Sequence, residues 1–119
     1  MTNIMRSLPR EYQELVKRAG VKSLTEREIE RRMCRRIHAR GGLTFKFTSP
    51  NAPGVPDRIV ITPAGIVWFV ELKTVAGRLT KLQQWQINRL RKLDANVRIL
   101  RGWDDVIDFV DWEVMPSGV

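Results

Sequence analysis

A chain of 119 residues, 43% of them hydrophobic, is the size of one domain with a core of its own, and no apolar stretch approaches the roughly 20 residues a bilayer-spanning helix needs. One cysteine excludes an intrachain disulfide, one cysteine with one histidine excludes a Cys/His structural zinc site, and the N-terminal stretch lacks the apolar segment of a secretory signal, so a reducing cytoplasm is the expected compartment. Lys and Arg number 21 against 13 Asp and Glu, a formal charge of +8, which points to a nucleic-acid partner.

In chain order, residues 1–22 are expected to form a short helical arm, with Pro9 in a first turn, Tyr12, Leu15 and Val16 at helical spacing, and Gly20 as the stop. Residues 23–119 are expected to form the single folded domain. Its first helix has Ser23 or Thr25 as cap and Glu26 and Glu28 in the first turn, where the helix dipole favours acids. Ile29, Met33 and Ile37 form its apolar stripe, and "GG" at 41–42 ends it. "LTFKFTS" (43–49) alternates like a half-buried strand, and "PNAPGVP" is a loop. "DRIVI", "TPAG" and "IVWFVELK" read as strand, turn and strand of an antiparallel hairpin. A helix follows over "LTKLQQWQINRLRKLDA", with Thr80 as cap and Leu82, Trp85 or Gln86, Leu90 and Leu93 near one face. "NVRILRG" is a short strand, "WDDVIDFVDW" a last helix and "EVMPSGV" a loose tail. This order implies a sheet with helices packed on its faces, in the α/β or α+β class.

The hairpin carries three charges that a buried strand should not welcome. Pleat alternation puts Val67, Phe69, Glu71 and Lys73 on one face and Trp68, Val70 and Leu72 on the other. With the turn centred on Pro63–Ala64, residue 57 falls across from residue 70, give or take one, which makes Asp57 and Glu71 cross-strand neighbours within about 5–8 Å at Cβ. Two carboxylates at that range repel, so one takes up a proton or a cation sits between them. With oxygen donors and no His or Cys nearby, the cation is a hard divalent ion such as Mg²⁺, held by Asp57, Glu71 and the Leu72 carbonyl. Lys73 points to the same side, where it could orient a water, stabilise charge on phosphorus-bound oxygens or act as a base. Acid, acid, lysine and metal in a basic domain make a phosphodiester hydrolase site. The alternative is that Asp57 caps a turn after Pro56 while Glu71 and Lys73 form a solvated strand end.

"GVPD" followed by "VELK" resembles the PD-(D/E)XK nuclease superfamily, and the flanking blocks extend the likeness. "EREIERRM" precedes the motif, "GGLTFKFTSPNAPGVPDRIVI" leads into it, and "GRLTKLQQWQINRL" and "ANVRIL" follow. Together, over about residues 23–110, these resemble the VRR-NUC family, in particular its small stand-alone members from phages and prophages. The resemblance implies a restriction-endonuclease-like core, a central mixed sheet flanked by helices. It implies Mg²⁺ or Mn²⁺ held by Asp57 and Glu71, Lys73 as the catalytic lysine, and a helix glutamate reaching the ion through water. Glu26 holds the position used in similar archaeal Holliday-junction resolvases and is favoured; Glu30, one turn later on nearly the same face, is the alternative. Gln83 matches the family's glutamine after the ExK strand and would bond a metal water or a phosphate.

Lys46 and Ser49 resemble family positions that meet the DNA backbone, and Arg35, Arg36, Arg78 and Lys81 are further candidate nucleic-acid contacts within the basic segments. His38 is expected to cap a helix end, Trp68 is expected in the core, and Trp85, Trp103 and Trp112 are expected in the core ahead of the alternatives of dimer contacts or base-stacking platforms. The resemblance implies a metal-dependent, structure-selective DNA endonuclease acting on branched or junction DNA, as a homodimer resolving Holliday junctions, with no membrane partner. The rivals are a catalytically weak junction-binding module on a nuclease fold, a flap or single-strand nuclease, and an RNA- or nucleotide-directed hydrolase on the same scaffold.

Overall fold

The computed structural model describes residues 9–13 and 24–115. Helix α1 (Glu26–Ala39) starts at Thr25, whose hydroxyl accepts from the Glu28 N–H at 3.2 Å while the Glu28 carboxylate accepts from the Thr25 N–H at 2.8 Å. This reciprocal pair satisfies two donors that a helix start leaves open. Of the two expected caps it selects Thr25; Ser23 lies outside the described residues. Gly41 closes the helix at φ 88°, a conformation that costs glycine little.

Strand β1 (Leu43–Lys46) pairs antiparallel with β2 (Arg58–Ile61), which pairs antiparallel with β3 (Val67–Lys73). The β2–β3 turn is closed by the Thr62 N–H donating to the Ile66 carbonyl at 2.9 Å. Helix α2 (Lys81–Lys92) then carries the chain over to β4 (Asn96–Arg101), parallel to β3, and α3 (Gly102–Glu113) ends the fold. The sheet is therefore mixed, in the order β1-β2-β3-β4, with helices on both faces, as expected. Strand β1 is shorter than the expected 43–49, but the Phe47 N–H still donates to the Asp57 carbonyl at 2.7 Å, so the pairing runs up to Asp57.

Alternation along the strands gives the two faces different tasks. Val60, Val70, Leu72 and Leu100 face α1 and α3 and pack with Ile29, Met33, Ile37, Val106, Phe109 and Val110. Trp68 joins this core edge-on to Phe109, ring centroids 5.5 Å apart. Val114 is also fully buried in it, so the tail expected to be loose is anchored at least that far. Burying such apolar side chains is worth about 1.5–3 kcal/mol each, which is what fixes β3 between its helices.

The opposite face is only partly covered, because α2 packs against β4 and not across the sheet. Leu43 and Phe45 on β1, Ile59 and Ile61 on β2, and Val67 and Phe69 on β3 lie side by side beyond its reach. Leu43 is 53% and Phe45 52% exposed. The buried side of α2 matches the expected one only in part: Gln86, the alternative to Trp85, is buried together with Ile87, while Leu82, Trp85 and Leu93 are exposed. The cause is polar, since the Gln86 amide donates to the Pro53 carbonyl at 3.1 Å and turns that side of the helix to the loop. Trp85 and Trp112 are accordingly surface residues, Trp85 carrying the Arg89 guanidinium 4.5 Å above its ring, whereas Trp103 packs partly buried against the core.

Of the expected N-terminal arm, Pro9 immediately precedes a helical segment at 10–13, the Tyr12 and Gln13 N–H groups donating to its carbonyl. Leu15, Val16 and Gly20 lie outside the described residues.

Candidate active site

The hairpin register pairs Arg58 with Val70, which carries Asp57 directly opposite Glu71. The loop before Asp57 is pinned to α2 by the Gln86–Pro53 bond and by Gly54. A Cβ at Gly54 would lie 2.8 Å from Leu82 Cγ and 3.1 Å from the Leu82 backbone, and its φ is +88°, so only glycine lets the loop approach so closely. Pro56 is buried and Asp57 half-buried at the edge of the uncovered face.

Glu71 is the anomaly of the strand. It is 1% exposed, and its Oε1 has no hydrogen-bond partner. Its Oε2 lies 3.9 Å from the Lys73 ammonium, which is itself largely buried. Burial pushes the Glu71 carboxyl up to about 8, helped by repulsion from Asp57 and a hydrogen bond to it; Lys73 opposes the shift, and Glu26 adds to it. The pocket is thus short of positive charge. Among the described residues no three His, Cys, Asp or Glu side chains are grouped to hold an ion by themselves. The donors on hand are all oxygens, two carboxylates and strand carbonyls, with one carboxylate oxygen buried and unpartnered. That set suits a hard divalent cation that keeps some of its water. The Leu72 side chain is in the core on the other face, so any part Leu72 plays is through its backbone carbonyl.

The two helix glutamates have different surroundings. Glu30 accepts from Arg58 Nε at 2.9 Å and from its Nη2, across the start of β2. Glu26 is exposed at the start of α1, and its charge is felt at Glu71. Gln83 sits in the first turn of α2, where its Oε1 accepts from the Thr80 N–H at 2.9 Å while the Thr80 hydroxyl accepts from the Gln83 N–H. One end of the Gln83 amide is therefore committed to the cap. His38, in the last turn of α1, has Nε2 3.2 Å from the Thr44 hydroxyl.

The candidate nucleic-acid residues fall in several places. Lys46 is exposed at the end of β1, and Ser49 opens the loop, its carbonyl accepting from the Ala52 N–H at 3.1 Å. Arg78 and Lys81 are exposed before and at the start of α2. Arg36 lies over the Trp103 ring at 5.2 Å, beside Arg32. Arg35 and Lys46 line a cleft of about 490 Å³ with Arg27, Arg31, Cys34, Glu30 and Arg58. Sequence reasoning passed over Arg27 and Arg58. The first had a signal, the i, i+4, i+8 spacing of Arg27, Arg31 and Arg35 on one helix side.

No family model matches the sequence. Over 81 residues the chain is 36% identical to p44, a protein of Acyrthosiphon pisum secondary endosymbiont phage 1 that is named as a nuclease, the match covering 68% of this chain and 87% of that one. A solved structure described as a VRR-NUC domain has a TM-score of 0.69 and 31% identity, covering 73% of this chain and 95% of its own. A second, a VRR-NUC domain protein, has a TM-score of 0.60 at 18% identity over 76% of this chain and 88% of its own, a likeness of fold.

Proposed function

The chain belongs to the VRR-NUC family of nucleases, and from that premise we propose that it is a metal-dependent, structure-selective DNA endonuclease that resolves Holliday junctions as a homodimer. The observation that carries the metal-dependent chemistry is Glu71: a buried carboxylate with an unpartnered oxygen, opposite Asp57 and beside Lys73. Nothing in packing asks for an acid there, since hydrophobic side chains fill the rest of the strand's buried positions.

Asp57, Glu71 and the Leu72 carbonyl would hold Mg²⁺ or Mn²⁺. When bound, the ion supplies Lewis-acid polarisation of a phosphoryl oxygen and acidifies a bound water. In the hydrolysis a water oxygen bonds to phosphorus and one ester P–O bond breaks. The products are a phosphate monoester and an alcohol. Lys73 stabilises the added negative charge on the phosphoryl oxygens and holds the attacking water in line. Glu26 is the helix glutamate of this reading, because its charge acts on Glu71 while Glu30 is engaged by Arg58. Gln83 has its amide nitrogen left to donate to a water or a phosphate next to Lys73. The arm, residues 1–22, is accessory to the nuclease domain, residues 23–119. Among the described residues no helix is long and apolar enough to cross a membrane, and the site of action we infer is the cytoplasm of a bacterial or phage-infected cell.

The uncovered sheet face supports the homodimer. Leu43, Phe45, Ile59, Ile61, Val67 and Phe69 make a continuous apolar surface on three strands, and among the described residues β1 is an open edge. Contiguous apolar patches of this kind mark association surfaces, and the two-fold symmetry of a dimer would match that of a four-way junction. Phe45→Asp is expected to convert a dimer to a monomer by size exclusion with light scattering. A variant that stays dimeric would move the interface elsewhere.

The function is tested on a panel of four-way junction, flap, single-stranded and duplex DNA with Mg²⁺ or Mn²⁺. The expected result is paired cuts in the junction that EDTA abolishes. Cleavage of flaps or single strands in preference to junctions would reassign the substrate, and tight junction binding with no cleavage of any substrate would make the protein a binding module.

A further inference from the structure

Resting on the nuclease reading, we propose that the cleft between α1 and the ends of β1 and β2 is a backbone track for one DNA strand, in which Arg27, Arg31 and Arg35 each take a phosphate and Lys46 faces them from the opposite wall. Three facts converge on this. The cleft, about 490 Å³, is lined by five cations and one acid. That acid, Glu30, is occupied by Arg58, and Glu28, the other acid near Arg31, is held at Thr25 by the helix cap. Four cations are left, all exposed, and among the described residues none of them has an ion-pair partner.

The spacing selects a strand and not a single anion. Residues four apart rise about 6 Å along a helix, so the three guanidiniums form a line about 12 Å long. A line of forks suits successive phosphates of a polymer better than one small ion would. The line also starts next to the candidate active site, because Arg27 follows Glu26, whose charge acts on Glu71. Five other arginines are engaged elsewhere: Arg32 and Arg36 lie over Trp103, Arg40 pairs with Asp111, Arg89 lies over Trp85, and Arg98 pairs with Glu113. A strand leaving the scissile phosphate thus meets a row of donors along α1, which fixes its direction of exit.

The test is the salt dependence of binding to a synthetic four-way junction in EDTA, where nothing is cut. Each phosphate neutralised contributes about 0.7–0.9 to the slope of log K against log salt. The triple variant Arg27→Gln/Arg31→Gln/Arg35→Gln is expected to lower that slope by about 2–3, and Lys46→Gln, on a different element, by about 1. A charge-matched control, Arg89→Gln/Arg91→Gln/Lys92→Gln at the far end of α2, is expected to leave it unchanged. An unchanged slope in the cleft variants, or an equal fall in the control, would overturn the track. A protein that cuts junctions but shows no slope change loses the track and keeps the function. One that shows the slope change but cuts no DNA keeps the track and loses the function.

Discussion

Lys73→Ala is expected to lower the rate of junction cleavage by at least about 10²–10³-fold while leaving DNA binding in EDTA within a few-fold of wild type. The magnitude is that of removing one donor aimed at charge that develops in a transition state. Lys73 is well placed for such an effect: its ammonium is largely buried, 3.9 Å from Glu71 Oε2, on the face that carries both acids. Asp57→Ala should be as severe, by leaving Glu71 without its partner across the hairpin. The helix glutamates provide the internal comparison. Glu26→Gln should cost about 10–100-fold, the range for a group acting through water on a metal site. Glu30→Gln should cost less and act through Arg58, which it leaves half-paired. Single-turnover cleavage at saturating protein measures all four. If Lys73→Ala cuts at the wild-type rate, the constellation is not the active site.

The second large effect concerns stability. In the metal-free protein Glu71 holds its proton up to about 8, whereas in the unfolded chain it releases it near 4.5. Below that lower value both states are protonated and Glu71 adds no pH dependence. As pH rises from 4.5 to 8 the unfolded state sheds the proton and the folded state does not, so stability falls; above 8 the loss is complete. At 1.36 kcal/mol per pKa unit the loss is on the order of 4–5 kcal/mol. Glu71→Gln removes the titration, and its amide can donate to Asp57 as the protonated acid does. The variant should therefore be the more stable protein at pH 8 in EDTA, and inactive. Adding Mg²⁺ should restore wild-type stability at that pH and leave the variant unmoved, since a ligand stabilises only the state that binds it. Urea unfolding from pH 5 to 9 reads every part of this, and parallel curves for the two proteins would sink it.

The candidate site was largely legible because strand periodicity is a local rule. Alternation put Glu71 and Lys73 on one face without any knowledge of what covered them, and the short turn brought Asp57 across to within one residue of its actual partner. The helix caps were legible for the same reason: Thr25 and Thr80 act on residues three positions away. What was not legible depends on contacts between distant segments. Whether Glu26 or Glu30 is free turns on Arg58, 28 positions from Glu30, and on how α1 is rotated over the sheet. The choice between Trp85 and Gln86 on the buried side of α2 stayed open because it turns on the Pro53 carbonyl, 33 positions from Gln86. Charge counting found a basic protein, but the convergence of Arg27, Arg31, Arg35 and Lys46 needed the fold.

Strand β3 has a consequence for how the protein can change. Its even positions, Trp68, Val70 and Leu72, answer to the packing of α1 and α3, and its odd positions, Glu71 and Lys73, answer to the chemistry. The two sets share a backbone but face opposite sides of the sheet, so drift in one leaves the packing of the other in place. A lineage that lost its need to cut DNA could let the odd positions decay to apolar residues and keep the same fold, more stable than before. The strand is thus a place where activity could disappear while the architecture, and any DNA binding along α1, persists.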